Sequence, residues 1–430
     1  MVVTLASSGA TEIPAKLVPW QPRAIRRSRL SAWAGASLLL CIVSVDAFRK
    51  QFVGSSVAPL AIVPISCALY GGAYLISRRR AAMDKSAPYL FGISAALGIV
   101  AMTSALTNWL GLQPFLAGLQ AYILYTFIGL AVPRALSEAR IERLRWLSGA
   151  AIVIGVVVAI SSLGSLWTNL GVFSPIIERA GVHSFKAGDI SLHPGVFATG
   201  ERLSRVVLFP LMAAITYSVF HKGRRPAGWI AVAIMLVGIL LSGRRFALLL
   251  AIMGGAIIIA ATVGVRRSRR LWIFVAGAAC ITALFLSEAP SAEFLRGGGE
   301  DLAARARLAF TPGQVSLFGE GGGSYSQGSG RELLASESEI EGQLRRLGAE
   351  VGWCGLTIAV AWFGVSIWSA WRGLRFGVRQ ESALHVAAGT YILLLLTWSI
   401  KAHVTFGDPI ALAIYWFAVG VSLWRPARSR

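Results

Sequence analysis

The sequence predicts an all-α protein that crosses a membrane about twelve times. Three observations lead there. Hydrophobic residues make up 55 % of the 430 and charged residues only 14 %, against about 25 % charged in a soluble domain; the mean hydropathy is +0.65. The apolar residues gather in runs that approach the ~20 residues a helix needs to cross the hydrocarbon core. The charges also sort by side. Assigning the loops alternately to two faces puts 26 Lys and Arg and 5 Asp and Glu on one face, and 15 of each sign on the other. The whole net charge of +21 falls on one face, as the positive-inside rule expects of the cytoplasmic side.

The elements follow in order. Residues 1–30 form a basic, polar cytoplasmic tail, and the apolar run after it reads as an uncleaved first span. The first six spans are Ser31–Val45, Phe52–Ile76, Tyr89–Leu106, Phe115–Val132, Trp146–Trp167 and Leu203–Phe220. Gly228–Leu241, Phe246–Val263, Leu271–Leu286, Val351–Trp371, Ser382–Ile400 and Ile410–Trp424 complete the set. Together they form one polytopic domain over 31–425, and 426–430 is a short cytoplasmic tail. Trp146, Trp167, Trp229, Trp371 and Trp424 stand near span ends, where interfacial aromatics belong. Gly228–Val263 is the ambiguous stretch. A single kinked helix there would reverse every later span and move the Arg266–Arg270 cluster outside, so two helices joined at Ser242-Gly243-Arg244-Arg245 are the better reading.

Two outer loops are large, 168–202 and 287–350, and loops of that length are usually functional or disordered. Within the second, Asp301–Phe310 and Arg331–Leu347 have helical spacing. Between them Gly319–Gly330 is glycine-rich and suited to close approach to a ligand. It is not a phosphate-binding P-loop, for it lacks the Gly-Lys-Ser/Thr ending. The basic clusters are short and interleaved with apolar spans, which is the pattern of topology and anionic-lipid contact rather than of a nucleic-acid groove. Four cysteines lie within or at the ends of spans and have no metal or disulfide spacing. The span cores are nearly free of ionisable groups, which argues against ion-coupled transport and for chemistry at the outer surface. His385, near an inner span end, reads as a packed polar residue.

Four outer constellations remain. Arg244 and Arg245 occupy a tight turn where topology does not ask for arginine. Their planar donor forks suit phosphate, and the alternative is a hairpin whose arginines snorkel to headgroups. Arg202 and Arg205, with Glu201, open the sixth span after a turn-rich stretch, 181–195. They read as an anion site or as interfacial anchors with one Glu–Arg pair; His183 and His193 lack metal-ligand spacing. Glu337, Glu339, Glu341 and Glu350 gather before the tenth span. One of them near arginines can serve as a general base, and the alternative is a solvated acidic helix face. Lys401, His403 and Asp408-Pro409 form the last outer turn, with Asp408 read as a helix start.

Taken together, these features resemble the O-antigen ligase / Wzy-type polymerase superfamily of bacterial surface-polysaccharide assembly. The resemblance rests on the span count, the cytoplasmic termini, the large loop before the tenth span and the junction Ala349-Glu350-Val351-Gly352-Trp353-Cys354-Gly355-Leu356. That run is similar to the family's Ala/Val-Glu-x-Gly-x-x-Gly-Leu pattern, with Glu341 (or Glu339) at the family's His/Glu position. Glutamate there resembles the polymerases more than the ligases. The resemblance implies an inner-membrane glycosyltransferase that joins polyprenyl-pyrophosphate-linked oligosaccharides at the periplasmic face, with polysaccharide export or chain-length proteins as partners. It implies Glu341 or Glu339 as base and Arg244, Arg245, Arg202 and Arg205 as pyrophosphate ligands, with no cofactor and no metal. A ligase, a lipid-linked oligosaccharide flippase and a non-enzymatic export partner are the alternatives.

Overall fold

The computed structural model describes residues 34–44, 65–69, 83–109, 111–136, 144–167, 185–187, 190–192, 200–221, 225–242, 245–263, 316–322, 343–401 and 408–426. Among them the chain is overwhelmingly helical. Helix α1 is Ala34–Ser44, and a short helix α2 covers 65–69. Next come α3 (Ala87–Thr107) and α4 (Leu112–Leu119), which runs through a π turn (Gln120–Leu124) into α5 (Thr126–Ala135). α6 is Leu144–Trp167. The only strands among the described residues, β1 (Phe185–Ala187) and β2 (Ile190–Leu192), pair antiparallel in the loop before α7 (Gly200–Phe220). The bundle is completed by α8 (Arg225–Leu241), α9 (Arg245–Val263), α10 (Gln343–Arg379), α11 (Ala383–Lys401) and α12 (Pro409–Leu423).

Most of the expected spans meet a described helix because both are set by apolar composition; of the second, Phe52–Ile76, only 65–69 is described. Among the described residues five segments are long and apolar enough to cross a membrane: Ala87–Thr107, Pro114–Ala135, Leu144–Ser162, Arg202–Phe220 and Arg346–Arg379. Their outer surfaces carry large exposed apolar side chains such as Ile99, Val153 and Val360. A water-soluble surface does not sustain so broad an apolar belt, whereas a membrane protein requires it. The expected ninth span, Leu271–Leu286, lies outside the described residues.

α12 is the hub. Every residue from Ile410 to Leu423 is buried, and α5, α7, α10 and α11 pack around it. Gly420 lets α5 approach closely: a Cβ there would press on Val132 and on the carbonyl of Gly129. Small residues at helix crossings are the usual device where helices associate without a hydrophobic drive. Tyr415 donates to Ser366 Oγ at 2.8 Å, and Trp362 Nε1 donates to Ser94 Oγ at 3.0 Å, two polar ties between helices of the bundle.

A network of contacts defines one end of the bundle. Asp84, just before α3, accepts both Nε and Nη2 of Arg372 (2.6 and 3.0 Å) and Nη2 of Arg425 (2.8 Å). The Asp84 amide donates to Leu423 O, and Met83 bridges Trp424. His385, fully buried, sits between Ser382 Oγ (2.9 Å) and the Trp424 carbonyl (3.1 Å), a packed polar residue as expected. The start of α3, the far part of α10, the start of α11 and the end of α12 therefore share this end. Their other ends, near Asn108, Arg346, Trp398 and Asp408, share the opposite one.

Burial on its own would raise the Asp84 carboxyl, but the bonds from Arg372, Ser86 and Arg425 prevail and hold it below its ordinary range. A carboxylate depressed on folding stabilises at pH values above its unfolded pKa of about 4 and loses that contribution as pH falls through the folded value. Melting temperature is thus expected to be steady from about pH 7 to 5 and to drop below about pH 4. Asp84→Asn should be less stable at neutral pH and show a shallower acid drop, read by thermal unfolding in detergent across pH.

The ambiguous stretch resolves into two helices. Gly228, early in α8, faces Ser218 near the end of α7. At its other end Ser242 Oγ pairs with Ser204 Oγ at 2.8 Å, near the start of α7. α9 then returns: Phe246 packs edge-on to Trp398 (5.9 Å between ring centroids), and Gly254 faces Met212 and Leu394. α8 and α9 run antiparallel, and Ser242 and Phe246, where one ends and the other begins, lie at the end opposite Asp84.

Candidate functional site

Two buried ionic clusters mark that opposite end. In the first, α7 and α12 begin side by side. Arg205 Nη1 donates to Asp408 Oδ2, and Arg202 Nε stands 3.7 Å from Asp408 Oδ1. The same Oδ1 accepts the Ile410 amide at 3.1 Å and caps α12. The Arg205 guanidinium lies over the Trp398 ring at 5.1 Å, and Tyr391 donates to the Arg205 carbonyl at 3.3 Å. Arg202, Arg205 and Asp408 are all buried. Burial would raise the Asp408 carboxyl, but Arg202 and then Arg205 keep it lowered and therefore charged.

The second cluster sits where segment 316–322 meets the first turns of α10. Helix α10 is broken at Gly352, whose φ of 65° and ψ of −167° fall in a region essentially reserved for glycine. A Cβ there would overlap Gly319 N and Leu317 O. Breaking a helix frees backbone groups that cost several kcal/mol each if left bare in a membrane. Segment 316–322 supplies their partners. Glu320 N donates to Ala349 O at 2.6 Å and Gly321 N to Glu350 O at 3.1 Å; Trp353 N and Cys354 N donate to Ser316 O and Leu317 O, each at 3.2 Å. The Ser104 hydroxyl is shared between the carbonyls of Phe318 and Glu350, and Asn108 Nδ2 donates to Gly319 O at 3.2 Å.

Glu350 is the centre of this cluster. Arg346 Nε and Nη2 both meet Glu350 Oε1 at 3.1 Å, one helical turn apart, and both residues are fully buried. The Tyr122 hydroxyl donates to Glu350 Oε2. Tyr122 reaches it from the π turn in α4–α5, whose extra residue per turn re-aims the side chain; such turns are frequent at functional sites.

Several sequence-derived candidates fall outside the described residues: Glu339, Glu341, Glu337, Arg244, His183, His193 and His403. Arg245 begins α9, and its backbone alone is described. Ser242 and Phe246, which border the Arg244 turn, lie at the end that holds the Arg202–Arg205–Asp408 cluster. Of the helix expected over Arg331–Leu347 only 343–347 are described, and they open α10, which breaks at Gly352. Asp408, expected as a helix start, is that and also the counter-ion of the two arginines. Tyr122, Ser104 and Trp398 carried no sequence signal, being ordinary residues within apolar runs. Among the described residues no three His, Cys, Asp or Glu side chains gather as metal ligands. No protein-family model matches this chain, and no curated protein matches it.

Proposed function

We propose that this chain is an inner-membrane glycosyltransferase, with both termini cytoplasmic, that polymerises polyprenyl-pyrophosphate-linked oligosaccharide units at the periplasmic face. The reading starts from the sequence resemblance. One structural observation supports it: the buried arginines Arg202 and Arg205, the residues bordering the Arg244 turn and the Glu350–Gly352 junction lie at one end of the bundle. That end is suited to an anionic lipid carrier arriving from the membrane, because guanidinium groups stay charged at any relevant pH and bind phosphate through parallel donors.

In the proposed reaction a hydroxyl oxygen of the acceptor sugar attacks the anomeric carbon of the donor. The bond from that carbon to the pyrophosphate oxygen breaks. Glu341, or Glu339, takes the hydroxyl proton, and the polyprenyl pyrophosphate leaves with the negative charge. Arg244, Arg245 and Arg202 or Arg205 stabilise that developing charge. The glycine-rich segment after Gly319 covers the donor and keeps out water.

Deleting the gene in the native host tests the class. Single repeat units accumulating on the polyprenyl carrier are the expected result. Accumulated long glycan identifies a ligase, and no change in either overturns the reading. Within the class, Arg244→Ala and Glu341→Gln are each expected to lower polymer formation by about 10²–10³. Unchanged yield and chain length in either variant would remove that residue from the mechanism.

A further inference from the structure

The far end of α10 carries a surface that the proposed chemistry does not use. After the break at Gly352 the helix runs from Trp353 to Arg379, about 40 Å at 1.5 Å per residue. It lies at the rim of the bundle, with two-thirds of its most apolar stretch unburied. Trp353 and Trp371 are both nearly half exposed. They stand eighteen residues apart, about 27 Å, close to the ~30 Å hydrocarbon thickness between the two aromatic belts of a bilayer. Trp371 therefore marks one interface, and Arg375 and Arg379 follow about 6 and 12 Å beyond it, in the headgroup layer.

The side chains there form an ordered platform. Arg375 lies over the Trp371 ring at 4.8 Å, and Arg372 over Trp368 at 5.7 Å. Tyr89 packs against Trp368 at 5.9 Å. The carboxylates described at this end, Asp84 and Glu381, do not cancel the charge of the outer arginines. Asp84 is taken up by Arg372 and Arg425, and Glu381 sits in the α10–α11 turn with no ion pair among the described residues. Among the described residues Arg375 and Arg379, both exposed, have no carboxylate partner.

We propose that the Trp371–Arg375–Arg379 face of α10 is a binding site for an anionic phospholipid: the two guanidinium groups take the headgroup phosphate, and Trp368 and Trp371 flank the upper acyl chain. The occupant is a lipid rather than a soluble anion because the cationic rim continues directly into an exposed apolar helix face. Each basic side chain near a charged membrane surface contributes enough that losing two weakens binding about tenfold to thirtyfold.

The test uses the full chain in detergent, titrated with dioleoyl phosphatidylglycerol, dioleoyl phosphatidylcholine or inorganic phosphate, with melting temperature as readout. Phosphatidylglycerol should raise it and the other two should not. The rise should shrink from about 0.05 to 0.5 M salt, as screening predicts. Arg375→Gln/Arg379→Gln should shift the half-saturating phosphatidylglycerol concentration upward by about tenfold or more, while Arg375→Lys/Arg379→Lys, which keeps the charge, should retain most of the response. Equal stabilisation by phosphatidylcholine, an equal effect of inorganic phosphate, a salt-independent response, or an undiminished response in the glutamine variant would each overturn the proposal. The salt and headgroup arms need only the unsubstituted chain, so poor folding of a variant leaves the proposal open to refutation.

Discussion

Asp408→Ala is expected to destabilise the protein by about 3–5 kcal/mol. The carboxylate is buried with Arg205 and Arg202, and removing it strips two guanidinium groups of the counter-ion that justifies their burial. Two controls separate the causes. Asn replaces Asp equally well as a helix cap, so Asp408→Asn keeps the bond to the Ile410 amide and loses only the charge. If charge is what matters, the Asn variant will lose nearly as much as the Ala variant, which forfeits about 1 kcal/mol more with the cap. The second control is Arg205→Met in the Asp408→Asn background. Breaking a buried pair from one side costs far more than removing both charges, so the double variant should recover at least about 1–2 kcal/mol relative to the sum of the singles. Thermal unfolding of the unsubstituted chain, Asp408→Ala, Asp408→Asn, Arg205→Met and the double variant in one detergent measures this. A stable Asp408→Asn protein would mean that the pair does not hold the starts of α7 and α12 together.

That pairing shows where sequence reasoning stops. Helix positions were legible because a membrane span is a composition, and α3, α6, α7 and α8 lie within a few residues of their expected limits. The antiparallel α8–α9 hairpin was legible too, because a single helix would have sent the Arg266–Arg270 cluster to the wrong face. Arg202 and Arg205 were legible as an anion site or as interfacial anchors at the opening of the sixth span. Their partner was not, since Asp408 is 203 positions away from Arg205 and its own neighbours, Pro409 and an apolar run, already explained it as a helix start. Tyr122 is 228 positions from Glu350 and sits in a run with no polar pattern. Long-range polar pairs inside an apolar bundle leave no periodic trace, because each partner is a single exception in its own span. Gly352 was visible as part of a motif, but its positive φ follows only from the fold-back of 316–322, which local sequence does not encode.

Glu350→Ala is the second large effect, again about 3–5 kcal/mol, and its consequences reach beyond stability. The substitution leaves the fully buried Arg346 guanidinium without its carboxylate and the Tyr122 hydroxyl without its acceptor. Glu350→Gln keeps the shape and one acceptor oxygen but not the charge, so it should fall between the Ala variant and Tyr122→Phe. The last removes one hydrogen bond to a charged group, worth about 1.5–3 kcal/mol. The order Ala, Gln, Phe in decreasing damage is the signature of a charge-centred cluster; a purely steric role for Glu350 would spare the Gln variant altogether. The main-chain carbonyl of the same residue receives the Gly321 amide and the Ser104 hydroxyl. If the side chain fixes the break, loosening it should release the segment it supports. Hydrogen exchange at the Glu320 and Gly321 amides is therefore expected to accelerate in Glu350→Ala far more than at the α12 amides, where protection reports global opening. Equal acceleration at both places would make Glu350 a stabiliser of the whole bundle. A selective effect would make it the residue that couples segment 316–322 to the bundle's helices.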